Sequence, residues 1–192
     1  WVSAQDILPM DVSDERGQLL ETGGGVLNAK PYLEGCGQFL IHNVDIISDL
    51  DIRWMASQTR RDAMATLLVS DRVTSRYLLF DPDTMRLKGW TNVVTGEVRS
   101  PYPDLDVTQC RRLAFSGIHI MSDTAFAALE DFVSRQGLDP EHPRFPIMDF
   151  YLSACALYEI YGVEADGLHL VDVGKLDTLE IAEKEISRVS QN

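Results

Sequence analysis

Gln38-Phe39-Leu40-Ile41-His42-Asn43-Val44-Asp45-Ile46-Ile47 is a run whose apolar members are Phe39, Leu40, Ile41, Val44, Ile46 and Ile47. With so few polar interruptions it predicts a strand buried on both faces, as in a parallel sheet. Asp49-Leu50-Asp51 follows and offers a cap for a helix over 51–64, after which 66–70 is rich in β-forming residues. Strand, helix and strand in that order predict a crossover connection. Upstream, Thr22-Gly23-Gly24-Gly25 predicts a tight loop feeding a helix that Pro31 shortens or kinks.

Downstream the pattern changes. Between 76 and 99 short β-like pieces are broken by Asp81-Pro82-Asp83 and Thr95-Gly96, which predicts an antiparallel flap beside the main sheet. Residues 113–121 read as another core strand. Ser122 or Asp123 would cap a helix whose Phe126, Leu129 and Phe132 or Val133 share a face. Pro146 suits the first turn of a helix carrying Phe150, Ala154, Leu157 and Tyr161 on one stripe. A last strand is predicted over 168–173, and Leu179, Ala182, Ile186 and Val189 define a closing amphipathic helix. The expected fold is α/β: one domain over 1–192, with a mostly parallel, Rossmann-like central sheet flanked by helices and a small antiparallel β insertion.

Composition narrows the function. The chain has 192 residues, 45% of them hydrophobic, and a net charge of −13, so it offers no broad basic face for a nucleic-acid backbone. No apolar run is long enough to cross a bilayer, and no basic segment followed by an apolar one opens the chain. Cys36, Cys110 and Cys155 are odd in number and widely spaced, which argues against a disulfide framework and points to a reducing cytoplasm. His42, His119, His142 and His169 show no zinc-ligand spacing. His119 reads as a satisfied core or edge histidine, His142 as loop surface, Cys155 as an inert buried thiol, and Tyr151, Tyr158 and Tyr161 as packing.

Asp45 and Asp172 are the candidate chemical groups. Each lies near the C-terminal end of an apolar strand pattern, and in open α/β sheets ligands bind at the carboxyl ends of strands. Paired carboxylates there suit Mg²⁺, which prefers oxygen ligands and is completed by water and substrate phosphates. The bland alternatives are a turn cap for Asp45 and the N-cap of the 175–190 helix for Asp172. The glycine triplet permits close backbone approach to a ligand but lacks the residues of a Walker A loop or a dinucleotide fingerprint.

Several segments together resemble the sugar-1-phosphate nucleotidyltransferases, most of all the mannose-1-phosphate guanylyltransferase-like and N-acetylmuramate-1-phosphate uridylyltransferase-like branch. They are Ser13-Asp14-Glu15-Arg16, Leu19 to Gly25, Phe39 to Asp45, Thr74 to Phe80, Gly89-Trp90, Phe115 to Ile118 and Val171 to Gly174. The resemblance implies an α/β nucleotidyltransferase fold and Mg²⁺ held by Asp45 and Asp172. It implies a nucleotide lined by Glu21, Thr22, Gly23 and Gly24, and a sugar beside Asn43 and Gly117. The implied partners are a nucleoside triphosphate and a sugar 1-phosphate, with no nucleic acid and no membrane. Oligomeric state, base and sugar stay open, and phosphocholine is an alternative acceptor.

The chain departs from that family at its start. A strand leading into a glycine-rich loop with a Gly-Thr-Arg element and a following lysine is expected there. Instead the sequence begins at Trp1, so the family's first βα unit is expected to be missing. The alternatives are a non-catalytic nucleotide-sugar-binding or regulatory domain and a glycosyltransferase that uses nucleotide sugars.

Overall fold

The computed structural model describes residues 9–174; the closing helix predicted beyond them lies outside the described residues, as does any capping of it by Asp172. The first helices are α1 (Glu21–Asn28) and α2 (Lys30–Leu33), followed by β1 (Gln38–His42), β2 (Ile46–Ser48), α3 (Ile52–Gln58) and β3 (Ala65–Ser70). The flap is β4 (Arg76–Phe80), β5 (Leu87–Asn92) and β6 (Val98–Arg99). The chain then forms β7 (Arg111–Ser122), α4 (Ala125–Gln136), α5 (Ile147–Ala154), β8 (Ile160–Glu164) and β9 (Leu170–Asp172).

The main sheet runs β6-β5-β4-β7-β3-β8, and β1 pairs with the far end of β7. Because β1 and β3 are both antiparallel to β7, they run in the same direction with β7 between them. The crossover read from 38–70 is therefore present, but it skips a strand. The mostly parallel sheet is corrected: among the described residues only β3 and β8 pair in parallel. The cause lies in β7, which is long enough to pair with β4 at its start and β1 at its end. An apolar strand buried on both faces reads alike whichever way its neighbours run.

The sheet packs on two sides. On one face Leu67, Val69, Leu78, Phe80 and Met121 meet Phe126, Leu129 and Phe132 of α4 and Phe150 and Tyr151 of α5. On the other, Leu68, Ile118 and Ile120 meet Met55 of α3, with Ile46 of β2 and Leu170 of β9 against them. The alternation Leu67, Leu68, Val69 between the two clusters follows from the period of a strand. The predicted α4 face is thus in the core, and Gly137 ends that helix in the left-handed region, φ 64°.

Three boundaries differ from expectation. The single strand over 38–47 breaks at Asn43-Val44-Asp45, where Ile46 N donates to Asn43 O (3.2 Å), and β2 leaves to pair with β9 in a separate two-stranded sheet. Nor is β1 buried on both faces, since Phe39 is buried while Gln38 and His42 are exposed. The helix capped by Asp51 stops at Gln58, although the cap itself holds, its Oδ1 accepting from Arg53 N (2.8 Å) and Trp54 N (3.2 Å). Finally, α5 ends at Ala154, whose carbonyl accepts from both Leu157 N and Tyr158 N. Leu157 is exposed and Tyr161 belongs to β8.

Candidate functional site

Asp45 and Asp172 come together through backbone pairing rather than through the main sheet. The antiparallel register of β2 and β9 sets Ile46 opposite Asp172, and Asp45 O accepts from Val173 N (2.8 Å). A Cβ placed on Gly174 would lie 2.9 Å from Asp45 Oδ2 and 3.2 Å from Asp172 Oδ1. The two carboxylates therefore flank one small gap, no wider than those distances laid end to end. Gly174 N also donates to Asp172 Oδ1 (3.0 Å).

The chemistry of this pair fits a hard cation. Both groups are oxygen donors, and the glycine keeps the space between them free of a side chain. Among the described residues no group of three or more His, Cys, Asp or Glu gathers as a metal cage.

Asn43 and Gly117 are neighbours. Asn43 N donates to Gly117 O (3.0 Å), and a Cβ on Gly117 would sit 3.1 Å from Asn43 Nδ2. Gly117 has φ 76°, a left-handed backbone that glycine adopts without strain. Opposite β3 the register shifts here: Leu67 faces His119 while Val69 faces Phe115, so β7 bulges over 116–118. Bulges of this kind bend a strand and re-aim its groups.

The four residues Glu21 to Gly24 occupy a different setting from the loop predicted. They form the first turn of α1 and dock it onto residues 143–147. Gly23 N and Gly24 N both donate to Phe145 O (2.9 and 3.3 Å), Thr22 Oγ1 accepts from Ile147 N (2.9 Å), and Arg144 Nε pairs with Glu21 Oε1 (3.1 Å). A Cβ on Gly23 would meet the Phe145 ring, and one on Gly24 would meet Pro143 O. Packing accounts for these two glycines, and their N–H groups point at protein. Glu21 itself has φ 62°.

Between α1 and β1 lies an apolar trench of about 460 Å³, whose wall includes Glu21, Thr22, Val26, Phe39, Ile41 and Asn43. It therefore joins Glu21 and Thr22 to Asn43. A wider groove of about 750 Å³, bounded by Arg99, Arg144, Phe132 and Ser153, has neither acid in its wall.

His119 also faces the trench, and here the sequence expectation fails. It is buried, but neither ring nitrogen has a hydrogen-bond partner among the described residues. Its ring packs against Phe115 and edge-on to Tyr151, and burial pushes its pKa down to about 3. Cys155 is the inert thiol expected, with burial raising its pKa to about 11. All three cysteines are free.

Sequence reasoning missed Gly174 as a site position, though the small residue just after Val171-Asp172-Val173 was the available signal. It also missed the bulge at 116–118, for which Gly117 inside a strand pattern was the available signal.

No protein-family profile matches the sequence, and no curated protein matches it. Solved structures do share its fold. A protein described as a glucose-1-phosphate thymidylyltransferase from Bacillus anthracis, in complex with sucrose, superposes with a TM-score of 0.60 at 14% identity over 85% of this chain and 59% of its own. The inositol-1-phosphate CTP transferase of T. maritima gives 0.56 at 12% identity, over 86% of this chain and 62% of its own. A UDP-glucose pyrophosphorylase complexed with UDP-glucose gives 0.61 at 13% identity, over 89% and 64%. The chain thus spans about three fifths of the length of these structures, and what it shares with them is an α/β fold with a central sheet flanked by helices.

Proposed function

We propose that this chain carries the acidic half of a nucleotidyl-transfer site, in which a nucleoside triphosphate and a sugar 1-phosphate give a nucleotide sugar and pyrophosphate. The observation that carries the reading is the convergence of Asp45 and Asp172 on the gap beside Gly174. The fold shared with a glucose-1-phosphate thymidylyltransferase, an inositol-1-phosphate CTP transferase and a UDP-glucose pyrophosphorylase supports it.

In this reaction an oxygen of the sugar 1-phosphate bonds to the α-phosphorus while the α–β phosphoanhydride bond breaks and pyrophosphate leaves with its electron pair. No protein nucleophile is needed, in keeping with a site built of carboxylates and amides. Asp45 and Asp172 would hold Mg²⁺, which when bound neutralises phosphate charge and helps align the reacting groups. The chain's own contribution is positional: the Asn43 turn and the Gly117 bulge fix the sugar side, and Glu21 and Thr22 border the trench on the nucleotide side.

The test is pyrophosphate release. It should require both a sugar 1-phosphate and a triphosphate, and Asp45→Asn and Asp172→Asn should each abolish it. Unchanged rates in both variants would remove the assignment. The alternative reading is a domain that binds nucleotide sugars without turnover. Calorimetry with a nucleotide sugar, showing binding in a protein that releases no pyrophosphate, would select it.

A further inference from the structure

We infer that Arg72 is the residue that grips the phosphate of the sugar 1-phosphate, an inference that rests on the reading above. Arg72 follows the end of β3 and is exposed, and its Nη2 donates to Phe115 O (3.0 Å). Phe115 begins the bulge of β7. The bulge is held from two sides, Phe115 O by Arg72 and Gly117 O by Asn43 N (3.0 Å). Between them, Ser116 is buried and its hydroxyl has no hydrogen-bond partner among the described residues. Since β1 and β3 run the same way, the Asn43 turn and Arg72 leave the sheet at one edge.

Charge decides what Arg72 is for. The chain carries a net −13, and two carboxylates already stand at this edge, so a dianionic phosphate needs a local cation to enter. Arg111, at the same edge, is occupied by Glu164 (2.6 Å). Arg72 has no carboxylate within ion-pair distance among the described residues, and it uses one N–H on Phe115. The remaining N–H groups form a planar fork suited to two phosphate oxygens, which a lysine matches only as a point charge. The competing role is purely structural, a cap on the bulge carbonyl.

Two measurements separate these roles. Calorimetric titration with inorganic phosphate and with glucose 1-phosphate should show binding to the wild type, weakened roughly 10- to 100-fold in Arg72→Met and partly restored in Arg72→Lys. In steady-state turnover, Arg72→Met should raise KM for the sugar 1-phosphate by a similar factor, with kcat and the triphosphate KM held and the melting temperature unchanged. Phosphate binding absent from the wild type, or equal in Arg72→Met, overturns the inference, as does a rise confined to the triphosphate KM. A structural cap would lower the melting temperature of Arg72→Met and leave the sugar-phosphate KM of its folded fraction alone, which also overturns it. Arg72-dependent phosphate binding in a protein that transfers no nucleotide keeps the inference and removes the proposed function. Transfer indifferent to Arg72→Met does the reverse.

Discussion

Asp45 and Asp172, far apart in sequence, are joined by a backbone hydrogen bond from Val173 N to Asp45 O (2.8 Å) and share the space in front of Gly174. The pairing of β2 with β9 does this, so the geometry of the two carboxylates depends on a strand pair outside the main sheet. Gly174→Ala should push both oxygens away, because the added Cβ would stand about 3 Å from each. Binding of Mn²⁺, read by electron paramagnetic resonance, should weaken by about 10-fold or more while the fold is kept. Undiminished Mn²⁺ binding in this variant would show that the two acids do not share an ion.

The glycines of α1 are predicted to matter for stability before they matter for any ligand. In an exposed helix, Gly→Ala stabilises by about 1 kcal/mol. At Gly24 the new methyl would stand 1.9 Å from the backbone oxygen of Pro143, which has no flexible end to move aside. Gly24→Ala should therefore destabilise by about 2 kcal/mol or more in chemical denaturation. A gain in stability would contradict the packing described.

Thr22→Val tests the link between α1 and α5. The substitution keeps the shape and removes the oxygen that accepts from Ile147 N (2.9 Å), leaving an N–H in the first turn of α5 without its partner. A loss of about 1 kcal/mol is expected. If Thr22 also lines the nucleotide site, KM for the triphosphate should rise at temperatures where the variant is fully folded.

His119 sets part of the acid sensitivity of the fold. Its folded pKa, about 3, lies below the ordinary 6.5, because burial opposes the charged ring. Above pH 6.5 the ring is neutral in both states and its contribution is constant. As the pH falls below 6.5 the unfolded chain takes up a proton that the folded chain refuses, so stability is lost, at about 1.4 kcal/mol per pH unit, until the folded value is reached. Tyr151, the titratable group in ring contact, stays neutral here since burial holds its hydroxyl well above its usual pKa. Glu15 and Glu21 line the same trench and are present in both proteins compared. His119→Phe keeps a ring against Phe115 and Tyr151, and urea titrations between pH 7 and about pH 4 should show a flatter decline than the wild type. Parallel curves would mean that His119 is charged or paired in the folded state.

Much of the fold was legible in residue order. The alternation of apolar runs with capped, amphipathic segments located β1, β3, β7 and α4, and Asp51 placed the start of α3 through its own side chain. Strand direction was not legible in β7, whose apolar residues serve both faces of the sheet, nor was the early end of α5, where Tyr161 satisfies a helical stripe and a strand equally well. These failures share a cause: periodicity reports which residues are buried, and burial does not specify the partner.

The candidate site divides along the same line. Sequence by itself determined that Asp45 lies near the end of one strand pattern and Asp172 near the end of another, that glycines cluster at 23–25, and that the chain carries a net charge of −13. Only the tertiary structure decided that the two acids meet, because a register between β2 and β9 is a long-range choice made by backbone hydrogen bonds and the cluster around Met55, Leu68 and Ile118. It alone turned Gly23 and Gly24 toward Phe145 and Pro143, set Arg72 on the Phe115 carbonyl, and left the His119 nitrogens in apolar surroundings. Local patterns are fixed by the chemistry of neighbouring residues, whereas a shared gap between distant side chains exists only once the core has fixed the distance between them.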